Sequence, residues 1–315
     1  LLLIWPDQVH PSHAAGAGVC LAAAAYFKGM ALYFAPLAAV WILVWGGTEV
    51  EPDALASLEP CPRGRFTALR RRWPAAAVLV ATMLLVLAPW TARNWRSYHR
   101  FLLLDATAGR NLYIGTNLAP PSNWDLGFND RRRIHGGRPR CRSANIVDAD
   151  RCEVGHALEF IKKHPGHMLS RIPLKLADLL SPSSFLIRHI RLGKYPYPFS
   201  PWQVKGLTLA AALTWMGVAG LGLLGLFLSR SSGALILLRL LLGYELLLHS
   251  LTFGMTRFRL PMVSFLILAA ASFTACRPAH EMRQASVWRL GAAGLFLGFL
   301  GLLWASRWST VFDIF

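Results

Sequence analysis

The chain has 315 residues, of which 54% are hydrophobic and only 16% charged, and its formal net charge is +17. Typical soluble proteins carry about 25% charged residues, so this composition excludes a soluble globular protein, a disordered chain and a small disulfide-rich scaffold. The excess of Lys and Arg lies in loops between apolar runs, which favours membrane lipid head groups or a phosphate-bearing substrate as partners over nucleic acid.

Apolar runs near the length needed to cross a bilayer, about 20 helical residues, recur along the chain. The first, Ala14 to Trp45, is interrupted only by Lys28 and is too long for one untilted span. We therefore expect two helical pieces hinged near residues 27–29. Further spans are predicted at 74–90, 206–228, 234–249, 260–276 and 290–304. The pattern predicts an all-α membrane bundle of about six to seven transmembrane helices.

Arg-rich loops set the predicted orientation of these spans. The loops that carry Arg are residues 46–73, the short link 229–233 and residues 277–289. Because positively charged loops stay in the cytoplasm, residues 91–202 are predicted to face the exterior. This divides the chain into an N-terminal transmembrane part (1–90), an exterior domain (91–202) and a C-terminal transmembrane bundle (203–315).

The exterior segment is predicted to be a mixed α plus loop domain. Residues 91–150 are rich in Gly, Pro, Asn and Arg, which is typical of loops with short strands. Residues 151–180 are predicted to be helical with a break at Pro165, and the apolar stripe after it, flanked by Arg171 and Lys175, indicates a helix in the membrane interface. Cys141 and Cys152 are expected to form a disulfide outside the cytoplasm, whereas no spacing typical of a metal site is present.

Three segments resemble motifs of bacterial polytopic glycosyltransferases of the C-type fold, relatives of protein O-mannosyltransferases and of the lipid A aminoarabinose transferase. The first comprises residues 89–95 and 109–117, similar to the family's PWTxRNY and GGxNLYIGNNP. The second, residues 157–165, is similar to ALxFIxxHP. The third, residues 257–261, is similar to RYRLP at the mouth of a late span. In order and topology the resemblance covers about residues 14–275.

The resemblance implies an enzyme that takes a sugar from a polyprenyl-phosphate carrier and passes it to a lipid, polysaccharide or protein on the periplasmic face of the bacterial inner membrane. No cofactor is expected. In the family, the catalytic acidic residue lies in a first exterior loop, which Asp7 and its neighbours do not match. The resemblance is therefore to the C-terminal portion only, and the catalytic residue is not assigned. The alternative is a non-catalytic scaffold subunit of a larger membrane complex that retains this fold.

Cations at the ends of spans are the candidates for binding the carrier phosphate. Arg257 and Arg259 are predicted to clamp it, since guanidinium groups bind phosphate bidentately. They could equally be anchors that reach lipid head groups. Lys28 is a third candidate, because a Lys within an apolar run usually faces a cavity. The other interpretation of Lys28 is a link between two short spans.

A donor or acceptor cleft is predicted from polar residues near the same span ends. For Arg93 and Asn94 the alternative is capping of a helix C-terminus. For Asn111, Tyr113 and Asn117 the alternative is that they belong to an ordinary loop or turn. For Glu245 and His249, which are four apart on one helix face, the alternative is a structural pair that stabilises the fold. The predicted cleft residues are Arg93, Asn94, Asn111, Tyr113, Asn117, Glu245 and His249.

Overall fold

The computed structural model describes residues 10–45, 62–116, 141, 143–191, 193–195, 199–229, 233–252, 254–275 and 285–313. These residues form helices and irregular backbone without a strand, so the short strands expected within 91–150 are wrong for the described part of that range. The α-helices are α1 (Pro11–Phe27), α2 (Ala35–Trp45), α3 (Pro62–Tyr98), α4 (Ala108–Gly115), α5 (Ile146–Lys163), α6 (Pro165–Leu180), α7 (Phe185–Arg191), α8 (Pro201–Leu228), α9 (Gly233–Leu251), α10 (Leu260–Ala275) and α11 (Val287–Asp313).

Five of the described helices are long and apolar enough to cross a membrane. They are α3 from Arg70 onward, α8, α9, α10 with the 3₁₀ turn that precedes it, and α11. This confirms the expectation of a helical protein in which several helices are long and apolar enough to span a membrane. The expected count of six to seven spans is not confirmed, because α1 and the apolar segment 29–45 are each shorter than the usual 20 or so residues.

The predicted break in the first apolar run is confirmed. Lys28 has an extended backbone (φ −150°, ψ 104°) between α1 and a 3₁₀ segment, Gly29–Phe34, which leads directly into α2. The charged side chain therefore lies at a turn between two apolar pieces. The backbone therefore places Lys28 in a link between two apolar helical pieces, and its predicted role in binding phosphate stays a prediction.

Contacts between residues group the chain into two compact units built from discontinuous segments. The first unit comprises 1–110, 141–154 and 231–244, and the second comprises 111–140, 155–230 and 245–315. The predicted division at residues 90 and 202 concerns position relative to the membrane and stays a prediction.

Close approach of helix backbones holds the first unit together. Gly18 of α1 packs against α3, where an added Cβ would stand only 2.4 Å from Leu79 O. Trp41 Nε1 of α2 donates to Gly233 O, at the start of α9, at 2.9 Å. Such contacts matter in a bilayer because lipid and Leu are equally apolar, so helices associate through packing and hydrogen bonds.

The second unit uses the same device between α8 and α10. An added Cβ would stand 2.7 Å from Leu266 O at Gly222 and 2.1 Å from Ala269 O at Gly225. The two glycines lie three apart on one face of α8, so the backbone of α10 can pack directly against that face.

Arg side chains satisfy the last carbonyls of two apolar helices. In the first unit, Arg72 Nη1 donates to Val44 O at 2.9 Å, at the end of α2. In the second, Arg289 donates to Phe227 O at 2.8 Å and to Leu228 O at 2.6 Å, at the end of α8. The last carbonyls of a helix lack N–H donors within the helix, and a carbonyl without a donor costs most in a low-dielectric environment. Two of the chain's many Arg residues, Arg72 and Arg289, thus stabilise helix ends within the fold.

Cys141 and Cys152 form the disulfide expected from the sequence, with a Cα–Cα distance of 6.0 Å. Replacing both with Ser is expected to lower the free energy of unfolding by about 2–3 kcal/mol, because the closed loop restricts the unfolded chain. Thermal unfolding in nanodiscs measures the effect. Cys20→Ser is the matched control, because Cys20 is exposed and free. Both thiols found free in non-reducing peptide maps would contradict the prediction.

Candidate functional site

The first group of chemically useful side chains lies in the first unit, beside the Lys28 turn. The Asp105 carboxylate packs against the backbone of Gly29, since an added Cβ there would stand 2.9 Å from Asp105 Oδ2. The same oxygen accepts a hydrogen bond from Thr107 Oγ1 at 3.0 Å. Asp105 is nevertheless exposed. The Asp105 carboxylate is therefore open to solvent and lies next to Gly29, the residue after Lys28.

Asp150 is a second carboxylate of the first unit, and it lies at the start of α4. Its Oδ1 accepts hydrogen bonds from the backbone N–H groups of Gly109 at 2.8 Å and Arg110 at 3.2 Å, in the first turn of α4. Burial raises the pKa of Asp150, the two backbone hydrogen bonds oppose the rise, and the charge of Asp105 adds to it. Both carboxylates also act electrostatically on the Tyr33 hydroxyl. Asp105, Asp150 and Tyr33 thus influence one another electrostatically, and Asp105 is the one of the three with a described contact at Gly29.

Asn94 fixes the segment that carries Asp105. The Asn94 side chain is 2% exposed, and its Nδ2 donates to Leu102 O at 3.2 Å and to Leu104 O at 2.9 Å. Trp90 Nε1 donates to Leu104 O as well, also at 2.9 Å. The backbone just before Asp105 is therefore tied to α3 by the buried side chain of Asn94 and by Trp90, so Asn94 acts on the carboxylate through its position.

Arg93 lies beside these ties. Its guanidinium is 4.7 Å from the centre of the Trp90 ring, and its Nη1 donates to Asn94 Oδ1 at 3.3 Å. A direct role of Arg93 and Asn94 in binding sugar or phosphate stays a prediction. Their contacts place this pair beside the segment that leads to Asp105.

The second group lies in the second unit, where Arg259 meets the end of α6. Arg259 is 7% exposed, and its guanidinium donates to Ser181 O and, at 2.9 Å, to Ser183 O. The same group stacks 4.2 Å above the Trp215 ring. Arg259 therefore satisfies backbone carbonyls beyond a helix end. Its predicted role as a phosphate clamp stays a prediction.

Two tryptophans support the same helix end. Trp215 Nε1 of α8 donates to Leu180 O at 3.1 Å, and Trp304 Nε1 of α11 donates to the same oxygen at 3.0 Å. Together with Arg259, side chains at three separate spans hold the last residue of α6 and the turn after it. This accounts for the buried indole N–H groups, which need acceptors in an apolar bundle.

Arg257 is placed differently from Arg259. Its guanidinium lies 4.7 Å from the Phe258 ring centre and 5.2 Å from that of Phe185. The side chain is only partly buried. The two arginines are separated by one residue in a 3₁₀ turn, and they do not share a partner among the contacts described above.

Lys175 of α6 is a buried cation whose burial the sequence does not reveal. Its Nζ donates to Ser250 O at 3.2 Å and Leu251 O at 3.1 Å, the last residues of α9. Burial lowers the pKa of Lys175 to about 8, and the charge of Arg171 contributes. The apolar stripe predicted Lys175 beside an interfacial face, but the structure turns it inward.

Asp178, one turn further along α6, is also missed by sequence reasoning. Its Oδ1 lies 3.3 Å from Arg307 Nη2 of α11. Burial raises the pKa of Asp178 to about 6, although the charges of Arg307 and Arg171 oppose the rise. A single carboxylate among many cations in this part of the sequence is the signal that could have suggested such a pair.

Glu245 and His249 form a close pair within α9. Glu245 Oε2 lies 3.3 Å from His249 Nε2, and the two residues are 7% and 1% exposed. The His249 ring stacks on Phe258 with ring centres 5.1 Å apart. These contacts are those of the structural alternative, while a role in a substrate cleft stays a prediction.

The remaining predicted cleft residues lie in or after α4. Tyr113 is 2% exposed, and its ring centre lies 6.3 Å from that of His156. Asn111 is partly buried. Asn117 lies outside the described residues. Contact with an acceptor stays a prediction for all three.

Arg259→Lys separates the two interpretations of Arg259. Lysine keeps the charge but cannot donate to two carbonyls in the same fork geometry. We expect a loss of about 2–3 kcal/mol of stability, since hydrogen bonds from a charged donor to buried carbonyls are removed. Thermal unfolding in nanodiscs measures this, with Arg257→Lys as the matched control. An unchanged melting temperature combined with lost sugar transfer would instead favour the phosphate clamp.

No family model, curated protein or solved structure matches the chain. Its function therefore has to be inferred from its motifs and from the side chains described above.

Proposed function

We propose that the chain is an integral membrane glycosyltransferase that moves a sugar from a polyprenyl-phosphate donor to a lipid, polysaccharide or protein acceptor on the periplasmic face of the bacterial inner membrane. In this proposal α1 and residues 29–45 cross the membrane together with the five longer spans. The observation that carries the proposal is the contact of the exposed Asp105 carboxylate with Gly29, the residue directly after Lys28. This group supplies the carboxylate chemistry that the sequence motifs lack.

Asp105 is the general base in this proposal. Its carboxylate is exposed, whereas Asp150 is held by two backbone N–H groups. The acceptor hydroxyl gives its proton to Asp105 while its oxygen forms a bond to the anomeric carbon of the sugar. The bond between that carbon and the phosphate oxygen breaks, and the electron pair leaves with polyprenyl phosphate. A positioned base of this kind contributes about 10²–10⁴-fold in rate.

Lys28 is the proposed phosphate-binding cation of the same group. It directly precedes Gly29, the residue that the Asp105 carboxylate contacts. Negative charge builds up on the phosphate as the sugar departs, and a cation fixed nearby stabilises that charge. A base and a cation at one turn are the two components that transfer from a lipid phosphate requires.

A second candidate function, a non-catalytic scaffold, is favoured by a different observation. Three cations of the second unit bind groups of the chain itself: the buried Arg259 and Lys175 bind backbone carbonyls, and the partly buried Arg307 binds Asp178. A bundle that stabilises its buried charges internally needs no anionic substrate. In this alternative the chain holds together a larger membrane complex.

Release of polyprenyl phosphate distinguishes the two functions. The intact protein in proteoliposomes made with native membrane lipids is given polyprenyl-phosphate-linked hexose, pentose and aminosugar donors, each radiolabelled in the sugar. The transferase proposal expects labelled acceptor and an equal amount of free polyprenyl phosphate from at least one donor. The scaffold proposal expects neither above the level of protein-free liposomes.

A further inference from the structure

A groove on the surface of α3 is not used by either candidate function. It lies wholly within the first unit and has a volume of about 440 Å³, within the roughly 300–1,000 Å³ range of small-molecule sites. One wall is a face of α3 and the other is the segment that follows this helix. The apolar lining residues are Leu84, Ala88, Ala92, Phe101 and Leu103.

The position of the groove along α3 matches one leaflet of a bilayer. At about 1.5 Å per residue, Arg72 and Arg96 stand about 36 Å apart along the helix, between the thickness of the hydrocarbon core and that of the whole bilayer. The groove runs from Leu84 to Arg96, which is about 18 Å by the same arithmetic. It therefore begins near the bilayer centre and ends at head-group level.

The end of the groove at head-group level is cationic. Arg96 lines it and is exposed, and within the described part of the chain its side chain makes no hydrogen bond or ion pair. Trp95 lies beside it and is 55% exposed, as is typical of the interfacial belts of membrane proteins. An apolar groove about one leaflet long, with a cation at its head-group end, is complementary to a lipid with an anionic head group.

We propose that this groove binds one anionic phospholipid of the leaflet predicted to be exterior, with an acyl chain along the apolar walls and the head-group phosphate on Arg96. The length of the groove favours a phospholipid over a polyprenyl carrier, because a polyprenyl chain is longer than one leaflet. This inference is independent of the proposed transferase activity, since it involves none of the carboxylates.

Native mass spectrometry of the intact, delipidated protein with added dioleoylphosphatidylglycerol tests the proposal. Arg96→Gln is expected to weaken binding about fivefold, the contribution of one cation at an anionic head group. Ala92→Leu, which fills the groove, is expected to abolish the bound lipid. The matched controls are Arg151→Gln and Ala81→Leu, which replace exposed residues outside the groove and should bind as the wild type does.

Three outcomes would overturn the inference. The first is phosphatidylglycerol binding by both groove variants equal to that of the wild type. The second is equally tight binding of dioleoylphosphatidylcholine, which would show no selection for a net negative head group. The third is displacement of phosphatidylglycerol by polyprenyl phosphate with the same sensitivity to Arg96→Gln, which would assign the groove to the carrier. Because Arg96 is exposed, Arg96→Gln is expected to have the melting temperature of the wild type. Its binding therefore tests the proposal even if Ala92→Leu fails to fold.

Discussion

Replacing Asp105 with Asn is expected to lower the rate of sugar transfer by about 10²–10⁴-fold, the contribution of a positioned general base. Asparagine has the same shape, so it can keep the contact with Gly29 and accept the hydrogen bond from Thr107. It cannot take a proton from the acceptor hydroxyl. The initial rate of polyprenyl phosphate release at saturating donor measures the effect, and the melting temperature should stay close to that of the wild type.

Asp148→Asn is the matched control for this experiment. Asp148 forms a surface ion pair with Arg100 at 3.1 Å, and such pairs contribute about 0–1 kcal/mol. We therefore expect this variant to keep nearly the full rate. An Asp105→Asn variant that transfers sugar at the wild-type rate would remove Asp105 from the mechanism, and so would an equal loss in both variants.

Replacing Gly254 with Ala is expected to cause the largest loss of stability among single substitutions of this kind. Gly254 is buried, and an added Cβ would stand 1.8 Å from Lys175 O, so the backbone of α6 would have to move. That movement would also pull Lys175 away from Ser250 O and Leu251 O. We expect a loss of about 3 kcal/mol or more, measured by thermal unfolding in nanodiscs.

Gly243→Ala provides the contrast. An added Cβ at Gly243 in α9 meets no atom within 4 Å, and Ala has the higher helix propensity by about 1 kcal/mol. This variant should unfold at or slightly above the wild-type temperature. If Gly254→Ala also unfolds at the wild-type temperature, Gly254 does not pack closely against the backbone of α6 at Lys175, which would contradict the prediction.

Hydropathy and local chemistry predict the helical elements of this chain well. The break at Lys28 follows from the cost of placing an ammonium group inside an apolar helix, and the break before α6 follows from Pro165. The end of α3 was harder to predict. The predicted span ends at Trp90, but the helix continues through Pro89 to Tyr98. A proline removes only one backbone donor, and a following run of polar residues can remain helical outside the apolar layer.

The carboxylate group could not be predicted from the sequence. Asp105 and Asp150 are far apart along the chain, and their approach depends on close backbone contacts at Gly29 and Gly109 and on the buried side chain of Asn94. These are tertiary contacts without a local signature. The sequence predicts contact with substrate for Asn94, whereas its hydrogen bonds position the segment before Asp105.

The motif around residues 257–259 shows the opposite limitation. Sequence alone groups Arg257 and Arg259 as one cationic site. In the structure Arg259 is buried on carbonyls, while Arg257 lies on the faces of Phe185 and Phe258. Spacing of two in a 3₁₀ turn does not place side chains on a common face, because the eclipsed positions are three apart.

Transfer of sugar at the outer face of sealed membranes tests the central claim most directly. Right-side-out vesicles containing the intact protein are given a sugar-labelled polyprenyl-phosphate donor from outside only, with native acceptors present. If the protein is the proposed transferase, labelled acceptor forms without opening the vesicles, and it is lost in the Asp105→Asn variant but not in Asp148→Asn. Absence of labelled acceptor for every donor class, in sealed and in opened vesicles alike, would contradict it.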